Sequence, residues 1–330
     1  IDGLEQEIME FEKLGNYEAA LEKLVIMHAW EEKNLGPQHP NFANTLIWMA
    51  DIYISQGIHE KAEPLYQRAL AIREKVLGPE HLDTATSLNN LATLFYNQGL
   101  YKKAEPFSQR ALFSTEKVLG PETPETALML NNLALVYDRQ GVYEKAEPLY
   151  LRALSIREKV LGADHPDTAI SLSDLALMYY NEGIYEKAEP LFLRALSIRE
   201  KVLGAEHPKT ARSLSDLALV YDSQGVYEKA EPLYLRALSI REKVLGAEHP
   251  ETARSLDYIS ALYRVQGLYE KAESLAKKAL AIKEKILGPG HPDTAISLNY
   301  MAILYRQLGL YEQAKQLYQQ VLAIQEEALS

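Results

Sequence analysis

Six histidines, His39, His81, His165, His207, His249 and His291, recur in equivalent stretches of the chain, and imidazoles at regular spacing raise the question of a metal site. Ligands of one ion must lie about 2 Å from it, whereas neighbours in this series stand 42 or 84 residues apart. They are expected instead in loops and at helix starts. Asp174 and Asp216 invite an acid–base reading, which needs an environment that drives two carboxyl pKa values apart. They hold equivalent places in a repeating pattern and are expected on an open surface, where nothing would desolvate them. The chain has no cysteine, which removes disulfides, thiolate zinc sites and thiol nucleophiles together. Gly-x-Ser-x-Gly, phosphate-loop, dinucleotide and His-Glu-x-x-His phrases are absent. The sequence therefore reads as a non-enzyme that needs no metal or cofactor.

Recognition chemistry remains. Arg212 and Arg254, then Arg264 and Arg306, flank Asp257, Tyr258, Asn299 and Tyr300 in the C-terminal part of the chain. Guanidinium forks beside aromatic rings suit acidic side chains or a terminal carboxylate. The competing reading is that these arginines pair with neighbouring Asp or Glu.

Composition narrows the partners. The 330 residues carry 46 Asp+Glu against 35 Lys+Arg, a net charge of −11, which argues against a duplex nucleic-acid binder. The most apolar short stretch, Leu46 to Ala50, ends at Asp51, far short of the roughly 20 residues of a membrane span. No secretory signal is visible, and a cytoplasmic setting is expected. The chain starts at Ile1 without methionine and stops at Ser330 with an apolar helix pattern uncapped. A fragment of a longer chain is the expectation, with self-association through that last helix as a possible by-product.

The elements that must position these residues form one unit repeated eight times. A Gly-x-Tyr or Gly-x-His marker falls at Gly15, Gly57, Gly99 and onward to Gly309, every 42 residues. An alanine column runs from Ala20 through Ala62 and Ala104 to Ala314 without exception. The units are 1–36, 37–78, 79–120, 121–162, 163–204, 205–246, 247–288 and 289–330, read as a single solenoid domain. Leu88, Leu91, Ala92 and Phe95 make one helical stripe and predict helix A over roughly 82–98. Leu65, Ala69, Leu70 and Ile72 predict helix B over roughly 60–76. Pro40 and its counterparts suit the first turn of helix A. Pro64 and its counterparts mean that helix B either starts later or bends. A lone helix pair cannot bury its stripe, so the pairs must stack.

Leu91, Ala92, Phe95, Gly99, Tyr101, Ala104 and Ala111 are spaced like the tetratricopeptide repeat signature, in a unit longer than the usual 34 or so residues. The phrases Leu-Gly-Ala-Asp-His-Pro-Asp-Thr-Ala (161–169) and Ser-Leu-Asn-Asn-Leu-Ala (87–92) resemble the kinesin light chain type of repeat, and the uniform array looks more like bacterial relatives. The resemblance implies an all-α, right-handed α-solenoid of eight helix-turn-helix units whose A helices line a concave peptide-binding groove. By that resemblance the groove columns are 86, 89, 90, 93, 96 and 97 with their 42-residue equivalents, off the core stripe. Asn89, Asn131 and Asn299, with Asn90 and Asn132 beside them, would hydrogen-bond the backbone of a bound peptide, or else bond neighbouring helices. Tyr96, Arg139, Arg212, Arg254, Tyr258, Arg264, Tyr300 and Arg306 fall in the same columns.

Copies within the chain differ most where ligand contact is implied. Units 143–184 and 185–226 differ at nine positions, three of them in groove columns; 185–226 and 227–268 differ at eleven, five of them there. The Arg-Glu-Lys run (157–159, 199–201, 241–243), expected on an equally exposed convex face, does not change. This pattern favours a recognition surface over free drift. The sequence thus points to an adaptor that holds an extended, acidic protein segment with an aromatic anchor. The alternatives are a structural spacer without a peptide ligand and a sensor array for a domain outside this chain.

Overall fold

The computed structural model describes residues 2–329, with side chains over 3–326; Ile1 and Ser330, the outer limits of the first and last repeats, lie outside the described residues. Among those described there are sixteen α-helices and no strand. They fall into two compact units, Ile1–Ala163 and Asp164–Ser330. The first holds α1 (Asp2–Lys13), α2 (Tyr17–Asn34), α3 (Pro40–Ser55), α4 (His59–Val76), α5 (Leu82–Asn97), α6 (Tyr101–Leu119), α7 (Pro124–Arg139) and α8 (Tyr143–Val160). The second holds α9 (Pro166–Glu182), α10 (Tyr185–Leu203), α11 (Pro208–Ser223), α12 (Tyr227–Leu245), α13 (Pro250–Val265), α14 (Tyr269–Ile286), α15 (Pro292–Gln307) and α16 (Tyr311–Leu329). Odd-numbered helices are the A helices of the sequence pattern and even-numbered ones the B helices.

Helix starts explain the histidines. Each is the N-cap of an A helix: the His165 Nδ1 accepts the Asp167 amide at 3.1 Å, and the His207 Nδ1 accepts that of Lys209 at 3.1 Å. Where His is missing, Thr123 caps α7 through the Thr126 amide at 3.2 Å. Proline follows at the first helical position of α3, α7, α9, α11, α13 and α15, where its missing N–H costs nothing, and Leu82 takes that place in α5. A threonine column locks the same corner from inside. The Thr84 hydroxyl donates to the Gly78 carbonyl at 2.8 Å, and Thr210, Thr252 and Thr294 repeat this bond onto Gly204, Gly246 and Gly288 at the same length. The A-to-B turn needs glycine: Gly99 has φ +73°, and Leu100 N–H returns to the Phe95 carbonyl at 2.8 Å, closing the end of α5.

The B helices do not start late. Helix α4 begins at His59, so Pro64 is its sixth residue, and the ring lies on the exposed side, as it does at Pro106, Pro148, Pro190 and Pro232. Within each unit the core is built by wedging B helices between their own A helix and the next, as with α4 between α3 and α5 and α14 between α13 and α15. In the first unit Tyr66 and Leu70 of α4 meet Leu88, Leu91 and Phe95 of α5, with Ala104 and Ala111 of α6 behind them. In the second, Ala279 and Ile282 of α14 pack on Ala253 and Leu256 of α13. The alanines Ala62, Ala104, Ala146, Ala188, Ala230 and Ala272 are all fully buried, leaving no room for a larger side chain without overpacking.

Candidate functional site

The groove columns of the first unit are stitched by hydrogen bonds between successive A helices. Asn132 of α7 donates through its amide to the Asn89 oxygen of α5 at 2.8 Å, and Arg139 Nε donates to the Tyr96 hydroxyl at 3.0 Å. Asn89, Asn90, Tyr96 and Asn132 are half-buried and Arg139 is exposed. Asn131 is 4% exposed, so in this repeat the column does not lie off the core stripe. Ser215 and Asp257, the equivalents in α11 and α13, are equally buried. A helix has no sharp boundary between faces, and a residue one position from the stripe is covered by the next B helix. Beside the asparagine pair lies a cleft of about 160 Å³ lined by Asn89, Thr93, Tyr96, Asn97, Ser108 and Asn132. Its floor exists because Ser108 stands where α4, α8, α10 and α12 carry Tyr66, Tyr150, Phe192 and Tyr234.

In the second unit the same columns carry more charge than the Asp51, Asp138 and Arg139 of the second, third and fourth repeats. Arg254 is paired, with Glu251 at 2.9 Å and Asp293 at 3.4 Å. Arg264 donates to the Gln307 amide oxygen at 3.1 Å. Arg212 is exposed, 4.0 Å from Asp216. Arg306 is exposed, makes no ion pair among the described residues, and flanks a shallow hollow with Tyr311, Tyr318 and Leu322. Tyr258 stacks on the buried Tyr234, ring centroids 5.7 Å apart, and Asn299 and Tyr300 are half-buried. Burial, with Tyr258, Asp257 and Tyr180 nearby, pushes the Tyr300 hydroxyl up to about 12.

Asp216 is not on an open surface. Desolvation lifts its carboxyl to about 6, against the pull of Arg212, Arg199 and Arg241 and with a further push from Asp174. It lines a cleft of about 300 Å³ between α9, α10 and α11, with Asp174, Ser173, Arg199, Lys209 and Arg212. Arg199, Lys209 and Ser173 are functional candidates that sequence reasoning passed over, because Arg199 sits in a run expected to be solvated.

That run is the largest correction. Arg73, Arg157, Arg199 and Arg241 are 3–8% exposed, not convex-face residues. Arg241 reaches Ser215 of α11 at 3.0 Å and Ser255 of α13 at 2.6 Å. The lysine of each run pairs with the loop before it, as Lys285 does with Glu248 at 2.6 Å. Glu200 meets Arg236 of the following B helix at 2.7 Å. The run is constant because packing holds it, so its constancy is no yardstick for drift in the groove. Part of the groove variation is internal compensation as well. Asp257 replaces Ser215, and Lys283 replaces Arg241; their side chains pair at 2.7 Å, 1% and 2% exposed. Coupled changes 26 residues apart were the sequence signal for this pair.

Six overlapping segments, 41–117, 95–159, 125–183, 175–243, 223–285 and 257–327, match the tetratricopeptide repeat signature. A comparison with curated protein sequences finds no match. Among solved structures, BtubC (BKLC) from P. vanneervenii is 25% identical over 74% of this chain and 92% of that one, with a TM-score of 0.58. A putative kinesin light chain from Podosopora anserina with nearly identical TPR-like repeats is 30% identical over 62% of this chain and 98% of that one, TM-score 0.52. A Rap protein complexed with competence and sporulation factor is 16% identical, covers 99% of each chain and superposes with a TM-score of 0.61, a likeness of fold.

Proposed function

Because the chain belongs to the tetratricopeptide repeat family, we propose that it is a protein-interaction scaffold, acting in the cytoplasm, that holds an extended segment of a partner along its A helices. The observation that carries this reading is the pair of clefts that open between neighbouring A helices, one over Ser108 and one beside Arg199. Each is the size of a side-chain pocket, has mixed polar and apolar walls and includes columns where copies of the repeat differ. The ligand is an acidic segment with an aromatic anchor: the cleft over Ser108 has the shape left by a missing ring, and Arg212 and Arg306 stand exposed toward an anion. The Rap protein solved with competence and sporulation factor supports binding as a use of this fold. A scaffold without catalysis fits side chains that hold one another in place.

A display screen of random peptides on the folded chain tests this, with Arg264→Glu/Arg306→Glu as a parallel bait. Enrichment of an acidic, aromatic motif that the double variant loses is the expected result. The spacer reading has one observation in its favour: groove groups already bond each other, as Tyr180 does with Ser223 at 2.9 Å. No enrichment on either bait would select it.

A further inference from the structure

The second unit contains three successive B-helix cations, all buried, and they are not equally provided for. Lys283 has the Asp257 carboxylate at 2.7 Å. Arg241 has Glu251 at 3.8 Å together with two serine hydroxyls. Arg199 donates to the Ser213 hydroxyl and to the Ala169 carbonyl at 3.4 Å, and to no carboxylate among the described residues. Arg199 also lines an open cleft of about 300 Å³. Two further features make it receptive. The Ser173 hydroxyl is buried at its wall without a hydrogen-bond partner, and Lys209 and Arg212 are cationic wall residues. The cleft stays open because the next A helix supplies the short Asp216 in the column where α13 supplies Tyr258, which stacks over Tyr234 in the following repeat.

We infer that the cleft between α9, α10 and α11 is a carboxylate-binding site, taking an acidic side chain or a chain terminus of the ligand against Arg199, Ser173, Lys209 and Arg212, and that Asp216 competes with that carboxylate for the same cations. The inference rests on the peptide-scaffold reading and names the chemistry of one position within it. Arg199 has Asp216 and Asp174 nearby but donates to neither, and a ligand carboxylate supplies the direct contact that Asp257 gives Lys283 two repeats later. Asp216 and Asp174 face the incoming anion, and like charges cannot both ionise cheaply at close range. The groups that set the Asp216 proton are Arg212 on its own helix, Arg199 on α10, Arg241 on α12 and Asp174 on α9; Asp167 and Lys209 share the cleft. Its carboxyl, already lifted to about 6, takes up a proton as the ligand anion arrives. Binding therefore tightens as pH falls through that range and weakens above it.

The test uses the whole chain with labelled methyl groups, reading Ile170, Leu177 and Leu203, which line the cleft. The probes are acetyl-Ala-Glu-Ala-amide for a side chain, acetyl-Ala-Ala-Ala with a free carboxyl terminus, acetyl-Ala-Gln-Ala-amide as the neutral control and acetyl-Ala-Lys-Ala-amide as the opposite charge. One or both carboxylate probes should shift these methyls, with Kd roughly tenfold lower at pH 5.5 than at pH 7.5; which one does so identifies the source. Asp216→Asn should bind equally at both pH values, as tightly as the parent does at pH 5.5. Arg212→Met, an exposed change, should weaken binding with the fold intact. The inference is overturned if the glutamine or lysine probe binds as well as the carboxylates, if Asp216→Asn keeps the pH dependence, or if the cleft methyls never respond. Silent methyls with peptide enrichment intact in the display screen remove this site alone. Responding methyls without enrichment keep the site and remove the extended-groove reading.

Discussion

Beneath the groove of the unit Ile1–Ala163, the buried Arg73 leans on uncharged oxygens: Asn44 at 2.7 Å, Ser87 at 2.9 Å and the Asp83 carbonyl at 2.7 Å. In Asp164–Ser330 the equivalent Lys283 leans on a carboxylate, Asp257, itself held by the Ser297 hydroxyl at 2.6 Å. Above them the first unit joins Asn132 to Asn89, while the second places Asp216 among three arginines. The alanine, threonine and glycine columns are shared by both units. One backbone frame thus accepts either uncharged or ionic partners for its buried cation in the layer between core and groove. The choice decides how each unit responds to pH and to loss of a partner.

The sharpest way to break this contrast is Lys283→Met. It strands Asp257 at 1% exposure and should cost about 3–5 kcal/mol in urea unfolding at pH 7. The double change Asp257→Ser/Lys283→Arg rebuilds the arrangement of the sixth repeat and should recover most of that. If the single variant loses less than the double, the pair is not held as described. Asp216→Asn comes next and has the opposite sign. A folded-state carboxyl lifted to about 6 from an ordinary value near 4 destabilises the fold once pH exceeds the lower value, most fully above the upper one. Removing the charge should therefore stabilise the chain by about 1–2 kcal/mol at pH 7, with the gain shrinking through pH 6 and gone near pH 4. Equal urea midpoints for parent and variant at pH 7 would contradict that. Smallest is Asn132→Ala in the first unit, which removes one neutral hydrogen bond and should cost about 1 kcal/mol, independent of pH between 4 and 7. A pH-dependent loss there would erase the distinction between the units.

The frame was legible because a 42-residue repeat averages away local ambiguity: α5 at Leu82–Asn97 and α4 at His59–Val76 differ from the expected spans by one residue at an end. The histidines were legible as helix starts for the same reason. The layer between core and groove was not. Arg199 and Arg241 look solvated in sequence because arginine normally is, and only the approach of two A helices over one B helix shows that their stems lie inside. Asn131, Ser215 and Asp257 read as groove residues because column position alone does not say how far the next helix overhangs. Asp216 could not be read as desolvated without the arginines of three helices around it.

The Lys283–Asp257 pair has one more consequence. Both members lie within the same 42-residue unit, and the neighbours they replace, Arg241 and Ser215, also belong to a single unit. Duplication or loss of a whole unit therefore carries both partners together, and removal of the seventh would set Arg241 against Ser297, the counterpart of the Ser255 it meets at 2.6 Å. A crossover inside a unit, between α13 and α14, would separate lysine from aspartate. Such a gene can lengthen or shorten by whole periods without exposing its buried charges, and the joints where it can be cut lie in the loops between repeats.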